Sequence, residues 1–241
     1  MRAVQWVLSL LFVIQMYLMM AVIGITYLPY AILRKEGARA ATVDYARYVR
    51  WSARVMLGLK SELRGEIPQG EVVVAAKHQS FFDILILYSD LPRARFIMKR
   101  ELVYAPFLGW YALRIGCIPV DRGKRGAAIA KLKEDVAAGA VEPGQLVIYP
   151  QGTRVAPGEH KPYKVGVGLL YDQLGSPCIP AAANVGLFWP KRGILRKRGT
   201  AVVELLPAIP PGLPVPEVMA LIEAQIEAAS DRLMQTAEFD G

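Results

Sequence analysis

A histidine and an aspartate five residues apart are the residues of this chain whose types and spacing could do chemistry together. His78 and Asp83 stand between two apolar runs, the first of which ends at Ala76, and this order predicts a strand, a loop and a helix. Ser80 and Asp83 have the spacing of a capping box, so we expect Ser80 at the helix N-cap and His78 in the loop. The carboxylate, one turn into the helix, can then hydrogen-bond to the imidazole.

Such a pair could act as a general base. The carboxylate would fix one tautomer of the imidazole and leave the second ring nitrogen free to accept a proton from a hydroxyl group. General-base catalysis contributes about 10²- to 10⁴-fold in rate. The alternative is that Asp83 only caps the helix and His78 only fills the loop, so a catalytic role requires partners elsewhere in the chain.

Polar residues also follow three other apolar runs. Lys99 ends the run 94–98, Asp121 and Arg122 end the run 116–120, and the segment 150–154 follows the run 145–149. In an α/β sheet such strand ends gather on one edge, where ligands bind. The arginines offer forked donors suited to a phosphate, and a glycine lets the backbone approach a ligand closely. The candidate phosphate-binding residues are Lys99, Arg122, Gly152, Thr153 and Arg154. Each of them could instead be a turn, a surface ion pair or a solvated strand end.

The alternation of strands and helices predicts an α/β fold with a mixed sheet flanked by helices. Predicted strands cover residues 72–76, 94–98, 116–120, 145–149, 176–183 and 200–206. Predicted helices follow His78, cover 104–114, extend from Gly123 to Val136, and cover 217–234 behind Pro216.

The stretch 3–33 contains no charged residue and exceeds the roughly 20 apolar residues that cross a bilayer core. It is too long for the core of a signal peptide, so we expect it to be retained. Pro29 indicates a bend near its end. A buried core helix is the alternative, and the sequence leaves open whether the segment spans the bilayer or enters one leaflet.

A basic helix follows this apolar stretch. Within residues 42–60, Arg47, Arg50 and Arg54 share one helical face, which is typical of a helix at a membrane surface. The two helices predict an N-terminal membrane-binding motif over residues 1–60, before an α/β domain over 61–241. Basic residues on this side of the apolar segment favour a cytoplasmic domain at the inner membrane.

A second basic segment mixes aromatic residues and cations. Trp189, Lys191 and Arg192 precede Arg196, Lys197 and Arg198. We expect Trp189, Lys191 and Arg192 at the membrane surface, where each cation adds about 1 kcal/mol. A solvated loop and a docking site for an acidic protein are the alternatives.

Composition narrows the classes of partner. The net charge of +8 and the pI of about 9.5 fit nucleic acid, an anionic membrane or an acidic substrate. No nucleic-acid-binding motif is present in the sequence. Cys117 and Cys178 lie in apolar stretches and indicate a reducing compartment. Two histidines without a metal-binding motif lead us to expect no metal.

The motifs together resemble those of the bacterial 1-acyl-sn-glycerol-3-phosphate acyltransferases. His78 and Asp83 form the first motif, a glycine-led strand from Gly116 to Arg122 the second, and Pro150 to Arg154 the third. Lys164-Val165-Gly166 and Ile179-Pro180-Ala181 match the downstream patterns. One residue departs from the family pattern, because Gln151 stands where the family has glutamate.

The resemblance implies transfer of an acyl group from a thioester to the sn-2 hydroxyl of lysophosphatidic acid. His78 would be the base and Asp83 its orienting residue, and Lys99, Arg122 and Arg154 would hold the phosphate. Acyl-CoA or acyl carrier protein would be the co-substrate, with no other cofactor. A covalent intermediate on Ser80 or Cys117 is the mechanistic rival. Another lysolipid acceptor, such as lyso-ornithine lipid, and a non-catalytic membrane-binding protein are the functional alternatives.

Overall fold

A seven-stranded mixed sheet with helices on both faces forms the centre of the molecule. The computed structural model describes residues 2–120, 130 and 143–237. The strand order is β1-β7-β6-β2-β5-β3-β4. Strands β6, β2, β5, β3 and β4 are parallel, β7 is antiparallel to β6, and β1 is parallel to β7. The strands are β1 (Leu59–Arg64), β2 (Val72–Ala76), β3 (Arg95–Lys99), β4 (Ile118–Val120), β5 (Gln145–Ile148), β6 (Cys178–Ala183) and β7 (Gly199–Leu205).

Six α-helices are described, with short 3-10 turns at Arg100–Tyr104 and Val185–Leu187. These elements confirm the predicted α/β class with its mixed sheet and flanking helices. The helix expected between Gly123 and Val136 lies outside the described residues. The helices are α1 (Arg2–Leu33), α2 (Lys35–Leu57), α3 (Phe82–Asp90), α4 (Leu108–Arg114), α5 (Gly166–Leu174) and α6 (Val215–Gln235).

Alternation along β2 divides the apolar core between the two faces of the sheet. Val72, Val74 and Ala76 belong to the cluster that includes residues of α1 to α4, whereas Val73 and Ala75 pack with α5 and α6. All five side chains are buried, as expected for a central parallel strand covered by helices on both sides. The residue that follows Ala76 therefore points toward α5 and α6, and the next one toward α2 and α3.

Helices α1 and α2 are antiparallel and joined along their length by polar contacts. Gln5 donates to the carbonyl of Leu57, and Gln15 contacts both Ser52 and Tyr48. Tyr27 donates to Asp44 near the other end of the pair. Helix α1 continues through Pro29 to Leu33, and the extended backbone of Arg34 separates the two helices. The predicted domain boundary at residues 60 and 61 stays a prediction.

Helix α6 covers the second face of the sheet with an apolar stripe. Ile222 and Ile226 are fully buried, whereas the neighbouring Leu221 is 37% exposed. Removing buried methyl groups costs their transfer free energy and leaves a cavity, but an exposed side chain has little to lose. The stripe is therefore the main attachment of α6 to the sheet.

We expect Ile222→Ala to lower the free energy of unfolding by about 2 to 5 kcal/mol. Leu221→Ala, the matched control on the same turn of α6, should change it by less than about 1 kcal/mol. Urea titration followed by circular dichroism measures both. Equal losses in the two variants would contradict the assignment of Ile222 to the core.

Candidate active site

The imidazole of His78 and the carboxylate of Asp83 are hydrogen-bonded. Nδ1 of His78 lies 3.0 Å from Oδ1 and 3.2 Å from Oδ2 of Asp83. Because the carboxylate is the acceptor, Nδ1 carries the proton and Nε2 presents its lone pair. Asp83 is buried and His78 is partly exposed. The arrangement is the one a general base requires.

Backbone donors hold Asp83 in place. Its Oδ2 accepts hydrogen bonds from the amides of Gln79 and Ser80, at 2.9 and 2.8 Å. The Ser80 hydroxyl accepts from the amide of Phe82 at 3.1 Å. The carboxylate half of the predicted capping box is present, but the Ser80 hydroxyl bonds to the amide of Phe82 and not to that of Asp83. The N-cap position of α3 falls on Phe81, so the expectation that Ser80 is the N-cap is wrong. The single carboxylate therefore caps the helix and orients the imidazole.

Tyr149, the residue directly after β5, also contacts His78. Its ring stacks on the imidazole with centroids 3.9 Å apart and planes 19° apart, and its hydroxyl donates to Oδ1 of Asp83 at 3.2 Å. Burial and the neighbouring Asp83 raise the pKa of Tyr149 well above its ordinary value, so the hydroxyl stays a donor. The sequence placed this tyrosine at a strand end but gave no sign of its contact with His78.

The parallel strands bring several predicted site residues to one edge of the sheet. β2, β5 and β3 are neighbours, so their carboxyl ends carry His78, the segment 150–154 and Lys99 on the same side. The amide of Val155 donates to the carbonyl of His78 at 2.8 Å, which places Arg154 one residue from the His78 loop. Lys99 is exposed, and Thr153 and Arg154 are half-buried. Arg122 lies outside the described residues.

A further cation, Lys164, reaches the same segment. Gly152 has a φ of +68°, and a Cβ added there would lie 2.8 Å from Nζ of Lys164. The backbone of Lys164 also donates to the carbonyl of Pro150 at 3.0 Å. A side chain at position 152 would be strained by this backbone conformation and would displace the ammonium of Lys164. The Lys164-Val165-Gly166 pattern was the signal for this residue, which sequence reasoning did not assign to the site.

Gln151, the departure from the family pattern, is buried next to this segment. Its exposed fraction is 1%, and neither amide atom has a hydrogen-bond partner among the described residues. A buried amide without partners is unfavourable. No described residue explains why glutamine occupies this position.

The second basic segment is only partly at the surface. Trp189, which we expected at the membrane surface, is 3% exposed and packs against Phe82 and Phe12. Arg196 is also buried, with its guanidinium 4.5 Å from the Trp189 ring centroid. The expectation for Trp189 is wrong, because the aromatic residue fills the core beneath α3. Lys191 and Arg192 are exposed as expected, and Lys191 donates to the carbonyl of Arg154 at 2.9 Å.

The three arginines of α2 share one face, as predicted. Arg47, Arg50 and Arg54 line a surface cavity of about 460 Å³ together with Lys60 and Trp51. Arg50 bonds to Asp90 at 2.6 Å and to Ser89 and Ser61. Its guanidinium is therefore engaged by other residues of the protein. Arg47 and Arg54 are exposed.

The candidate nucleophiles are enclosed. Ser80 is fully buried with its hydroxyl accepting from a backbone amide, and Cys117 and Cys178 are buried. Burial raises the pKa of Cys117, and it raises the pKa of Cys178 to about 12. Protonated, enclosed thiols are poor nucleophiles. In the described part of the chain, no group of three or more His, Cys, Asp or Glu side chains is placed to hold a metal ion.

Residues 59–184 match the model of a family described as Acyltransferase, which is just over half of the chain. The matched region contains His78, Asp83 and the segment 150–154. In the solved structure of the 1-acyl-sn-glycerophosphate acyltransferase from Thermotoga maritima, 22% identical in sequence, the same fold occurs with a TM-score of 0.79. That likeness covers 97% of this chain and 98% of the other.

Relatives in sequence narrow the class. A 1-acyl-sn-glycerol-3-phosphate acyltransferase from Pseudomonas aeruginosa is 30% identical over 192 residues, which cover 79% of this chain and 75% of the relative. The alpha form of that enzyme from Homo sapiens is 29% identical over 78% of this chain and 69% of the relative. The chain belongs to the 1-acyl-sn-glycerol-3-phosphate acyltransferase family.

We expect both cysteines to resist an aromatic disulfide reagent in the native protein at pH 8, because a raised pKa leaves little thiolate at that pH. The same protein in guanidinium chloride should release two equivalents of the coloured thiol. The release is measured by absorbance. Reaction of Cys117 on the mixing timescale in the native state would contradict its enclosure and would reopen the covalent route.

Proposed function

We propose that the protein transfers a fatty acyl group from an acyl thioester to the sn-2 hydroxyl of lysophosphatidic acid. The observation that carries the proposal is the His78 imidazole oriented by Asp83. The loop that bears it is hydrogen-bonded to Val155, the residue directly after Arg154. The choice of lysophosphatidic acid as the acceptor follows from the relatives, which are named 1-acyl-sn-glycerol-3-phosphate acyltransferases. Either acyl-CoA or acyl carrier protein would serve as the donor, and no other cofactor is needed.

The geometry supports direct transfer between bound substrates. Nε2 of His78 would take the proton of the acceptor hydroxyl while its oxygen attacks the thioester carbonyl carbon. Collapse of the tetrahedral intermediate would break the carbon–sulfur bond, and the proton on Nε2 would pass to the departing thiolate. Asp83 would keep the imidazole in the required tautomer and stabilise its transient positive charge. The enclosed Ser80 and Cys117 argue against an acyl-enzyme.

Cations at the same edge would hold the acceptor phosphate. Arg154 directly precedes Val155, whose amide bonds to the carbonyl of His78. Lys99 is the last residue of β3, and the ammonium of Lys164 lies near Gly152. Arg122 belongs to the same proposal from its motif alone. Fixing the phosphate makes attack by the hydroxyl effectively intramolecular. An acceptor such as lyso-ornithine lipid lacks the phosphate that these cations would bind.

A membrane surface is the proposed location of the reaction. The Ala3–Leu33 segment is, within the described residues, the one helix long and apolar enough to cross a membrane. One face of α1 exposes large apolar side chains, among them Trp6, Leu11 and Leu18. Because α1 packs along the charged helix α2 from Gln5 to Tyr27, we propose that it lies in one leaflet of the inner membrane, with the α/β domain in the cytoplasm.

The exposed cations would complement that apolar face. Trp51 is 59% exposed and Val55 is 63% exposed, and both lie on α2 between the side that packs on α1 and the side that bears Arg47 and Arg54. This order, from apolar to aromatic to cationic, matches the polarity change from acyl chains to phosphate groups. Lys191 and Arg192 would add to the cationic surface.

We expect His78→Ala to lower kcat by about 10²- to 10⁴-fold, because general-base catalysis is lost. His160→Ala is the matched control, since the chain has two histidines and His160 is an exposed side chain beside Glu223. Purified protein with radiolabelled lysophosphatidic acid and each thioester donor gives the rates. Wild-type protein that fails to make phosphatidic acid with either donor would refute the proposed function.

We expect Arg154→Gln to raise the KM for lysophosphatidic acid about 10-fold to 100-fold, because a charge-assisted hydrogen bond contributes about 1.5 to 3 kcal/mol. The KM for the acyl donor should not change. Lys161→Gln removes one exposed positive charge from the same part of the chain and should leave both constants as they were. The reverse pattern, a change confined to the donor, would remove Arg154 from the acceptor site.

Replacing both Arg47 and Arg54 by Gln should weaken binding to vesicles that contain phosphatidylglycerol. Two cations at about 1 kcal/mol each correspond to roughly thirtyfold. Binding to phosphatidylcholine vesicles should change little. The control variant Lys161→Gln/Arg232→Gln removes the same charge elsewhere on the surface. Binding is measured by vesicle flotation. Equal losses of binding in both double variants would show that net charge, and not the position of Arg47 and Arg54, sets the affinity.

A further inference from the structure

A buried cation lies directly beside the general base and takes no part in the mechanism above. Lys77 continues β2 by donating its amide to the carbonyl of Ala181 at 2.8 Å. By the alternation of the strand, its side chain points away from the face that holds His78 and toward α6. Only 3% of the side chain is exposed, and Nζ contacts both carboxylate oxygens of Glu227, at 2.6 and 2.5 Å.

Glu227 has a second partner in another part of the site. The hydroxyl of Tyr163 donates to Oε1 of Glu227 at 2.8 Å. Burial and the Glu227 carboxylate raise the pKa of Tyr163, so its hydroxyl remains a neutral donor. Tyr163 directly precedes Lys164, whose amide donates to Pro150 and whose ammonium approaches Gly152.

One carboxylate of α6 therefore joins the two halves of the proposed site from behind the sheet. Through Lys77 it reaches the loop of the base, and through Tyr163 it reaches the segment of the candidate phosphate-binding residues. In front of the sheet the two halves meet at the hydrogen bond from Val155 to His78. The His78 loop and the segment of the candidate phosphate-binding residues are thus connected on both sides of the sheet.

Attachment of α6 does not require these charges. Ile222 and Ile226 bury the apolar stripe of the helix, Ser230 accepts from the amide of Ala183, and Asn184 donates to the carbonyl of Leu233. A buried ion pair adds little net stability over an apolar pair of similar volume, because desolvation offsets the attraction. What the pair supplies is a defined geometry at two loops.

We propose that Lys77, Tyr163 and Glu227 are positioning residues that set the separation between the His78 imidazole and the bound phosphate of the acceptor. This inference rests on the proposed acyl transfer to lysophosphatidic acid and assigns to that reaction residues that do not contact the reacting atoms. A base displaced by about 1 Å can cost about 10²-fold in rate. Small shifts of either loop are therefore expected to be visible in the kinetics.

Two variants test the roles of Lys77, Glu227 and Tyr163. Lys77→Met/Glu227→Leu removes both charges together and leaves neither one unpaired, and Tyr163→Phe removes a single hydroxyl. We expect the double variant to lower kcat by about 10-fold to 100-fold and to raise the KM for lysophosphatidic acid severalfold. Tyr163→Phe should show the same pattern with a smaller change. The KM for the acyl donor should stay constant in both.

The matched control is a second ion pair that joins α6 to the sheet. Arg232 contacts Glu204 of β7 at 2.7 Å, and Arg232→Met/Glu204→Leu should leave kcat and both KM values unchanged. Thermal unfolding of every variant gives its folded fraction, by which the rates are corrected. A general loss of folded protein lowers kcat and leaves the acceptor KM unchanged, so a raised acceptor KM is the specific sign of misplacement.

Wild-type acceptor kinetics in both test variants would overturn the inference and leave the proposed function standing. An equal loss in the control variant would also overturn it, because it would assign the effect to attachment of the helix. If the double variant does not fold, Tyr163→Phe decides the question, since it retains the ion pair. Failure of the wild-type protein to acylate lysophosphatidic acid would remove the proposed function together with this inference.

Discussion

The carboxylate of Asp83 joins the helix, the loop and the neighbouring strand of the site. It accepts hydrogen bonds from two loop amides, from the His78 imidazole and from the Tyr149 hydroxyl. A carboxylate offers about four acceptor positions, so its capacity is used in full. Because the group is 1% exposed, water does not compete for these bonds, and the imidazole orientation follows from the folded backbone.

The parallel centre of the sheet is the second constraint. β6, β2, β5, β3 and β4 run in one direction, so each delivers its carboxyl end to the same edge. Adjacent residues of an extended chain point to opposite faces, so the neighbours Lys77 and His78 lie on opposite faces of the sheet. The strand end thus supplies a group for chemistry on one face and a buried ion pair on the other.

Much of this arrangement followed from local pattern in the sequence. The spacing of Ser80 and Asp83 predicted the hydrogen bond from the Ser80 amide to the Asp83 carboxylate, and apolar runs of five to eight residues predicted β2, β3, β4, β5 and β6. β1 was not predicted, because an edge strand with one solvated face reads Leu-Lys-Ser-Glu-Leu-Arg and carries few apolar residues. Helix α5 was missed as well, since its nine residues lack a capping signal.

Contacts between distant parts of the chain were beyond such patterns. Trp189 stands among cations in the sequence, and only the packing of Phe12 and Phe82 around it shows that it belongs to the core. Lys77 and Glu227 are separated by 150 residues, and nothing in either local sequence marks them as partners. Charge and periodicity indicate which residues are buried or paired in general, but the partner depends on tertiary structure.

The stack of Tyr149 on His78 restricts how an acceptor can enter. With one face of the imidazole covered by a parallel ring 3.9 Å away and Nδ1 occupied by Asp83, the lone pair of Nε2 lies in a plane nearly parallel to the phenol. A hydroxyl group must therefore approach Nε2 in the plane of the imidazole, parallel to the tyrosine ring. Tyr149, directly after β5, thereby restricts the direction from which a hydroxyl group can reach Nε2.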